Sequence, residues 1–183
     1  MKISNLNSKK SFRHLKNVLG LLILGSLLNC ERDDICATTT PTTPHLLIEF
    51  KDAFNVDEAK AVRRMNVAAE DNDYYIIYDK TAESIILPLK IDALNTINST
   101  RFIITRDIDF DDDDDPETFS NTDIIEVTYT PELIYVSRAC GYKAAFNEVN
   151  AFREDDASNW IIDIDILNPT INNEDEAHIT IYH

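Results

Sequence analysis

Ile124-Ile125-Glu126-Val127-Thr128-Tyr129 reads as a β-strand. Ile125, Val127 and Tyr129 alternate with Ile124, Glu126 and Thr128, and a period of two puts successive side chains on opposite faces of a sheet. The same period recurs to either side. Leu46, Ile48 and Phe50 alternate with Leu47, Glu49 and Lys51. Arg63, Met65 and Val67 alternate with Arg64 and Asn66, which predicts a strand from about Val62 to Ala69 despite the local helix propensity of Glu58–Arg63. Tyr74–Tyr78 and Ser84–Leu89 are rich in β-formers, and the polar Asp79–Glu83 between them reads as a hairpin loop. Pro88 cannot donate to a ladder and marks an edge. Arg101–Thr105 follows, with Phe102 and Ile104 on one face. Pro131 is expected to break the opening strand, with Leu133–Ser137 and Tyr142–Val149 as the next two. Trp160, Ile162, Ile164 and Ile166 alternate with Ile161, Asp163, Asp165 and Leu167, and Ile179 and Ile181 point inward in the last strand, His178–Tyr182. Eight or nine short strands without a convincing long helix predict an all-β fold, an antiparallel β-sandwich spanning residues 45–183. Unequal connections favour a sandwich over a barrel. Gly141 is the one glycine beyond the leader, so the turns fall to Asn, Asp and Pro.

Residues 1–29 have the pattern of a leader. Lys2, Lys9, Lys10, Arg13 and Lys16 precede the eleven-residue apolar run Val18–Leu28, and no acidic residue occurs before Glu31. A basic region followed by a short apolar one is a secretory signal, and the run is shorter than the roughly 20 residues needed to span a bilayer. Leu27-Leu28-Asn29-Cys30 resembles a lipobox, which implies that Cys30 receives lipid and becomes the new N-terminus. Asn29 stands where Gly, Ala or Ser is usual, a substitution that the relaxed lipoboxes of Bacteroidota admit. Two or more acyl chains give stable anchoring at about 0.8 kcal/mol per buried methylene, so membrane attachment through the lipid requires no membrane-binding surface on the fold. Glu31, Arg32, Asp33 and Asp34 resemble the export signal of surface-exposed Bacteroidota lipoproteins, and read equally well as a solvated tether. Outer-membrane anchoring is therefore expected, with surface and periplasmic orientations both open. Residues 30–44, ending in Ala37-Thr-Thr-Thr-Pro-Thr-Thr-Pro44, form an extended Thr/Pro tether.

The chain carries 17 basic and 33 acidic residues. Without the leader, twelve basic residues remain against 33 acidic ones, a net charge of −21. That charge excludes nucleic acid, whose binding relies on Lys and Arg, and disfavours an anionic membrane surface. With Cys30 lipidated, Cys36 and Cys140 remain. An oxidising compartment permits a disulfide between them; two unpaired thiols are the alternative. A zinc site is disfavoured because neither has a second Cys or His at ligand spacing.

The sharpest local feature is Asp107, Asp109 and Asp111–Asp115, seven carboxylates in nine positions. Calcium takes several oxygen ligands, so Asp107, Asp109, Asp111, Asp113 and Asp115 are candidate ligands for a calcium-dependent binding or adhesion module. The EF-hand pattern is absent, and charge runs are more often solvated loops. No other cofactor is implied. A glycosidase needs two positioned carboxylates, but among so many acids pairs arise by chance. One glycine rules out a phosphate-cradling loop. His45, His178 and His183 are too dispersed for a joint metal site. Trp160, Tyr74, Tyr75, Tyr135 and Tyr142 can line a glycan-binding face, though strand aromatics more often pack in cores or across strands. The chain thus reads as non-enzymatic, a binding or structural accessory module with a protein or glycan partner that the residues do not name.

Asp33-Asp34-Ile35-Cys36 ahead of the Thr/Pro linker, Ser84–Leu89 with its Leu-Pro-Leu, Ala139-Cys140-Gly141-Tyr142, and the ending Glu176-Ala177-His178-Ile179 resemble an uncharacterised lipoprotein family of Bacteroidota, domain-of-unknown-function family 6452. The resemblance implies a β-rich exported lipoprotein and no assigned activity.

Overall fold

The computed structural model describes residues 35–108 and 120–183. The chain divides into two compact units. Within the described residues the first comprises 35–38 and Arg138–Cys140. Here Cys36 and Cys140 form a disulfide, with Cα atoms 4.9 Å apart and a sequence separation of 104. Closing a loop of that length is worth about 4–5 kcal/mol in the chain-entropy account.

Among the described residues, the second unit, Thr39–Ser137 with Gly141–His183, contains nine strands. They are β1 (Leu46–Lys51), β2 (Val62–Ala69), β3 (Tyr75–Ala82), β4 (Ser84–Leu87), β5 (Asn98–Arg106), β6 (Asn121–Ser137), β7 (Gly141–Arg153), β8 (Asp163–Ile166) and β9 (Ile179–Tyr182). One sheet has the order β4-β1-β9-β8 and the other β3-β2-β5-β6-β7. Leu46, Ile48 and Phe50 of β1 are wholly buried in one cluster with Phe102 and Ile104 of β5 and Ile125 and Val127 of β6. Two sheets sharing one core through alternating inward residues make a β-sandwich. Every strand pair is antiparallel except β1 with β9, where Ile48 lies opposite Ile179 and Phe50 opposite Ile181. Strand β9 is interior to its sheet, and Ile179, Thr180 and Ile181 are all buried. A strand covered on both faces must satisfy its polar groups locally. Thr180 does so by donating its hydroxyl to Glu49 Oε1 at 2.7 Å.

Strand β1 follows its predicted alternation, and β2 has its predicted bounds. Inside β2 the alternation fails at Arg63 and Arg64. The register shifts between Val62 and Met65, and Arg64 adopts φ +44°, so a bulge returns Met65 and Val67 to the core beside Val62. The predicted β3–β4 hairpin does not form. Asp79–Ala82 continues β3, which pairs with β2, whereas β4 pairs with β1 in the other sheet. Glu83 alone separates the two strands, and its carbonyl accepts from Phe50 N at 2.8 Å. The polarity of 79–83 reflects an exposed edge strand rather than a turn. Pro88 follows β4, which is an edge strand as expected.

Pro131 does not break β6, which runs on to Ser137. The last β5 partner along β6 is Asn98, opposite Tyr129, so Pro131 lies beyond the strand to which its missing N–H would have pointed. Its carbonyl still accepts from Asn95 N at 2.8 Å. The predicted face of 160–167 also shifts. Trp160 and Ile161 are both buried, Ile162 is exposed, and β8 begins only at Asp163. The Asp123 carboxylate clamps the backbone of Trp160 and Ile161 ahead of the strand. Thr43, read as tether, accepts a hydrogen bond from Ala144 N on β7 at 2.9 Å, and Pro44 is buried.

Candidate functional site

Strand β5 carries two polar residues on its inward face, Asn98 and Thr100, at the end nearest the β4–β5 connection. Asn98 uses both ends of its amide. Its Oδ1 accepts from the backbone N–H groups of Asp92 (2.8 Å) and Ala93 (3.0 Å). Its Nδ2 donates to the carbonyls of Ala93 and Thr96, both at 2.8 Å. Thr100 Oγ1 accepts from Lys90 N at 3.1 Å and lies 2.5 Å from the Tyr129 hydroxyl, which donates to Lys90 O at 2.5 Å. The donors and acceptors close a three-membered ring: Lys90 N–H to Thr100, Thr100 O–H to Tyr129, Tyr129 O–H to Lys90 O. Burial raises the Tyr129 pKa, so its hydroxyl keeps the proton. The ring of Phe146 meets Tyr129 edge-on at 5.2 Å. Buried side chains thus hold the 90–96 backbone in one geometry.

That connection forms one wall of an open cleft of about 500 Å³, within the roughly 300–1,000 Å³ of small-molecule sites. The facing wall is the end of β2 and the turn after it, Ala69–Asn72. Ile76, Pro88 and Leu89 supply an apolar lining. Charged pairs cross the rim. Lys90 Nζ lies 3.0 Å from Asp71 and 3.4 Å from Asp92. Arg101 Nε lies 2.8 Å from Glu70, and its Nη2 contacts Glu154. Hydrogen bonds to Asp71 and then Asp92 raise the Lys90 pKa and keep it a cation. These pairs are exposed, and such pairs contribute little to stability. Their arrangement offers several donors and acceptors side by side.

A second polar group lies at the other end of β5. Asp123 of β6 is buried, and its carboxylate accepts from Trp160 N at 3.0 Å and Ile161 N at 2.8 Å. Trp160 Nε1 donates to Ile104 O at 3.3 Å, and the Arg106 guanidinium lies 5.6 Å from the centre of the Trp160 ring. Arg153 Nη1 donates to Ile161 O. These bonds go largely to backbone, so the group is a clamp.

Among the described residues, the histidines are likewise engaged. His178 Nδ1 accepts from Leu47 N at 3.0 Å, which leaves Nε2 to donate to Asn173 O at 3.1 Å. His183 Nε2 donates to Lys60 O at 3.1 Å, and its ring meets Trp160 and Phe50 edge-on. Burial lowers the pKa of both. His45 Nδ1 lies 2.6 Å from Glu174 Oε1.

The candidate site residues read from sequence fall in three places. Cys30 and Glu31, Arg32, Asp33 and Asp34 lie outside the described residues, as does the leader. Cys36 and Cys140 are bonded to each other. Of the carboxylate run, Asp107 is paired with Arg63 Nε at 2.6 Å, while Asp109, Asp111, Asp113 and Asp115 lie outside the described residues. Among the described residues, no group of three or more His, Cys, Asp or Glu is placed to hold a metal ion. Of the aromatic set only Trp160 is core. Tyr74, Tyr75, Tyr135 and Tyr142 are exposed and so are not core, but Tyr135 and Tyr142 lie opposite each other on β6 and β7 in edge-to-face contact at 5.4 Å, which is the cross-strand packing expected of strand aromatics. The cleft has no counterpart in the sequence reading. Its residues lie between 69 and 101 without a motif, and Asn98 and Thr100 at inward strand positions are the one signal that points to it.

No curated protein and no solved structure matches the chain. The model of a family of unknown function, DUF6452, matches residues 64–183. That span contains three of the four short segments that carry the resemblance, Ser84–Leu89, Ala139–Tyr142 and Glu176–Ile179, together with both walls of the cleft. By this match over more than half its length, the chain belongs to the DUF6452 family of unknown function.

Proposed function

We propose that this chain is an exported, lipid-anchored module of the outer membrane that acts by binding or as a structural accessory and not as an enzyme. The observation that carries the reading is the order of basic leader, Val18–Leu28 and Cys30. The Cys36–Cys140 disulfide supports it, because such bonds persist in oxidising compartments. The net charge of −21 beyond the leader supports a partner other than nucleic acid. A non-enzymatic role is supported by the engagement of Asp123, His178 and His183 with backbone partners. The partner is a protein or a glycan, and the cleft beside Lys90 is the surface best built to meet it.

Detergent phase partition of cells producing the wild-type chain and Cys30→Ser tests the anchor. The wild type is expected in the detergent phase and the variant in the aqueous phase; equal partition of the two overturns lipid attachment at Cys30. Protease treatment of intact and lysed cells then separates surface from periplasmic orientation. The alternative, a calcium-dependent module on Asp107–Asp115, is favoured by the density of carboxylates there, although Asp107 already has Arg63 as partner. A melting temperature unchanged by millimolar calcium removes it.

A further inference from the structure

We propose that the cleft between Ala69–Asn72 and Pro88–Asp92 binds a neutral, hydroxyl-rich ligand of the saccharide class. The inference deepens the binding role proposed above and rests on it, but not on the lipid anchor. Three observations support it.

The first is charge. Glu70 and Asp71 face Arg101 and Lys90 across the rim, Asp92 lies beside Lys90 on its own wall, and both cations are already paired. An anionic ligand must compete with these carboxylates on a protein of strongly negative charge. A cationic ligand must displace Lys90 or Arg101. A neutral polyol does neither. A hydroxyl both donates and accepts, so vicinal hydroxyls can bridge a carboxylate oxygen and an adjacent ammonium or guanidinium N–H without separating the pair. A carboxylate has about four lone-pair sites and a guanidinium five N–H groups, more than the observed pairs occupy.

The second is the lining. Ile76, Pro88 and Leu89 give the cleft an apolar surface beside its polar rim. A pyranose ring has the same division, with C–H groups on its faces and hydroxyls around its edge. Tyr74 and Tyr75, both exposed, stand in the chain between the lining residues Asn72 and Ile76. Such amphipathic rings suit a surface that is partly wet.

The third is preorganisation. Lys90 is held by both its backbone N and O through Thr100 and Tyr129, and the next residues by Asn98. Three buried side chains thus hold a surface segment whose own side chains are exposed. Rigidity of this kind reduces the cost of ordering on binding.

The test is titration of the full chain, purified in detergent, with maltohexaose, cellohexaose, mannohexaose and tetra-N-acetylchitotetraose, each to about 10 mM, a range that captures weak single-site binding. Trilysine and trigalacturonate serve as charged controls. At least one neutral sugar is expected to saturate, with amide shifts at Glu70–Asn72, Leu89–Asp92 and Ser99–Arg101. Lys90→Ala and Arg101→Gln are expected to weaken it at least about tenfold, and Leu133→Ala not at all. Lys90→Ala keeps the backbone ring intact, so its melting temperature serves as the folding control. The proposal is overturned if none of the four sugars binds, if the rim variants bind as well as wild type, or if a charged control binds the cleft in their place. Phase partition of the same samples keeps the two readings apart. An anchored chain that ignores all four sugars sinks the ligand class alone, and an unanchored chain that binds one sinks the anchor alone.

Discussion

Strand β5 ends in two polar groups that solve one problem with different chemistry. At its start Asn98 and Thr100, with Tyr129 opposite Asn98, hold the 90–96 backbone through neutral side chains. At its finish Asp123, opposite Ile104, holds the backbone of Trp160 and Ile161 with a carboxylate, against the Arg106 and His183 side chains that flank the Trp160 ring. Buried backbone groups near a sheet end need partners in either case. A neutral clamp is indifferent to pH and leaves the charges it positions, Lys90 among them, at the surface. The second clamp closes a segment packed against His183, whose pKa burial holds down. The first arrangement suits the exposed wall of an open cleft, the second a seal over the core.

The largest effect expected from this contrast is at Asp123. Asp123→Ala leaves two buried N–H groups without their acceptor and should cost about 3 kcal/mol in urea unfolding. Asp123→Asn keeps one carbonyl acceptor and should cost less. Equal losses would mean that charge, not acceptor geometry, holds the segment. Asn98→Ala should follow at about 2 kcal/mol. Its hydrogen-exchange signature should differ, opening 90–98 while 160–161 stays protected; opening at both places would show that the two ends are one cooperative unit.

Acidification separates them without mutation. Burial holds the His183 pKa below its ordinary value; the hydrogen bond to Lys60 O opposes this, the Lys60 and Arg106 charges add to it, and Asp52 opposes it. Burial likewise lowers His178. In the unfolded chain both take up protons as pH falls below about 6.5. Their contribution to stability is therefore full above that pH and is lost as pH falls towards the folded-state values, by up to about 1.4 kcal/mol per pH unit for each proton of difference. Glu174, whose pKa is lowered by hydrogen bonds from the His45 side chain and backbone, loses its contribution later, below the ordinary carboxylate range. Between pH 7 and 5.5 the amides of 160–161 and 178–183 are expected to exchange faster and those of 90–98 not to change. The smallest effect is Lys90→Ala, which should leave the urea midpoint unchanged because its pairs are exposed; a measurable loss would make the rim structural and weaken its case as a binding surface.

Several features are legible in the residues alone because they depend on local patterning. The alternation in Leu46–Lys51 sets which side chains of β1 are buried, since a half-buried strand admits one inward face. The bounds of β2 and the edge placement of β4 beside Pro88 follow from the same kind of rule. Cys36 and Cys140 could be read as a possible pair from the cysteine count, and the structure decides between that pair and two free thiols. Where partners lie far apart in sequence, local patterning misleads. Asp79–Glu83 looks like a turn because an exposed edge strand is as polar as a loop. Pro131 looks like a stop because nothing nearby says that β5 has already ended on that side. Ile161 looks outward-facing because its burial depends on a carboxylate 38 positions away.

By itself, then, the sequence determined the class of fold, the acidic surface and the family, all properties of composition, period and short segments. Only the tertiary structure decided which strands share a sheet, that β9 lies parallel to β1, and that Lys90 stands opposite Asp71 across a cleft. The reason is physical: alternation specifies the face of a strand but not its neighbour. A cleft exists only once two segments about 20 residues apart in sequence are held against each other by buried side chains.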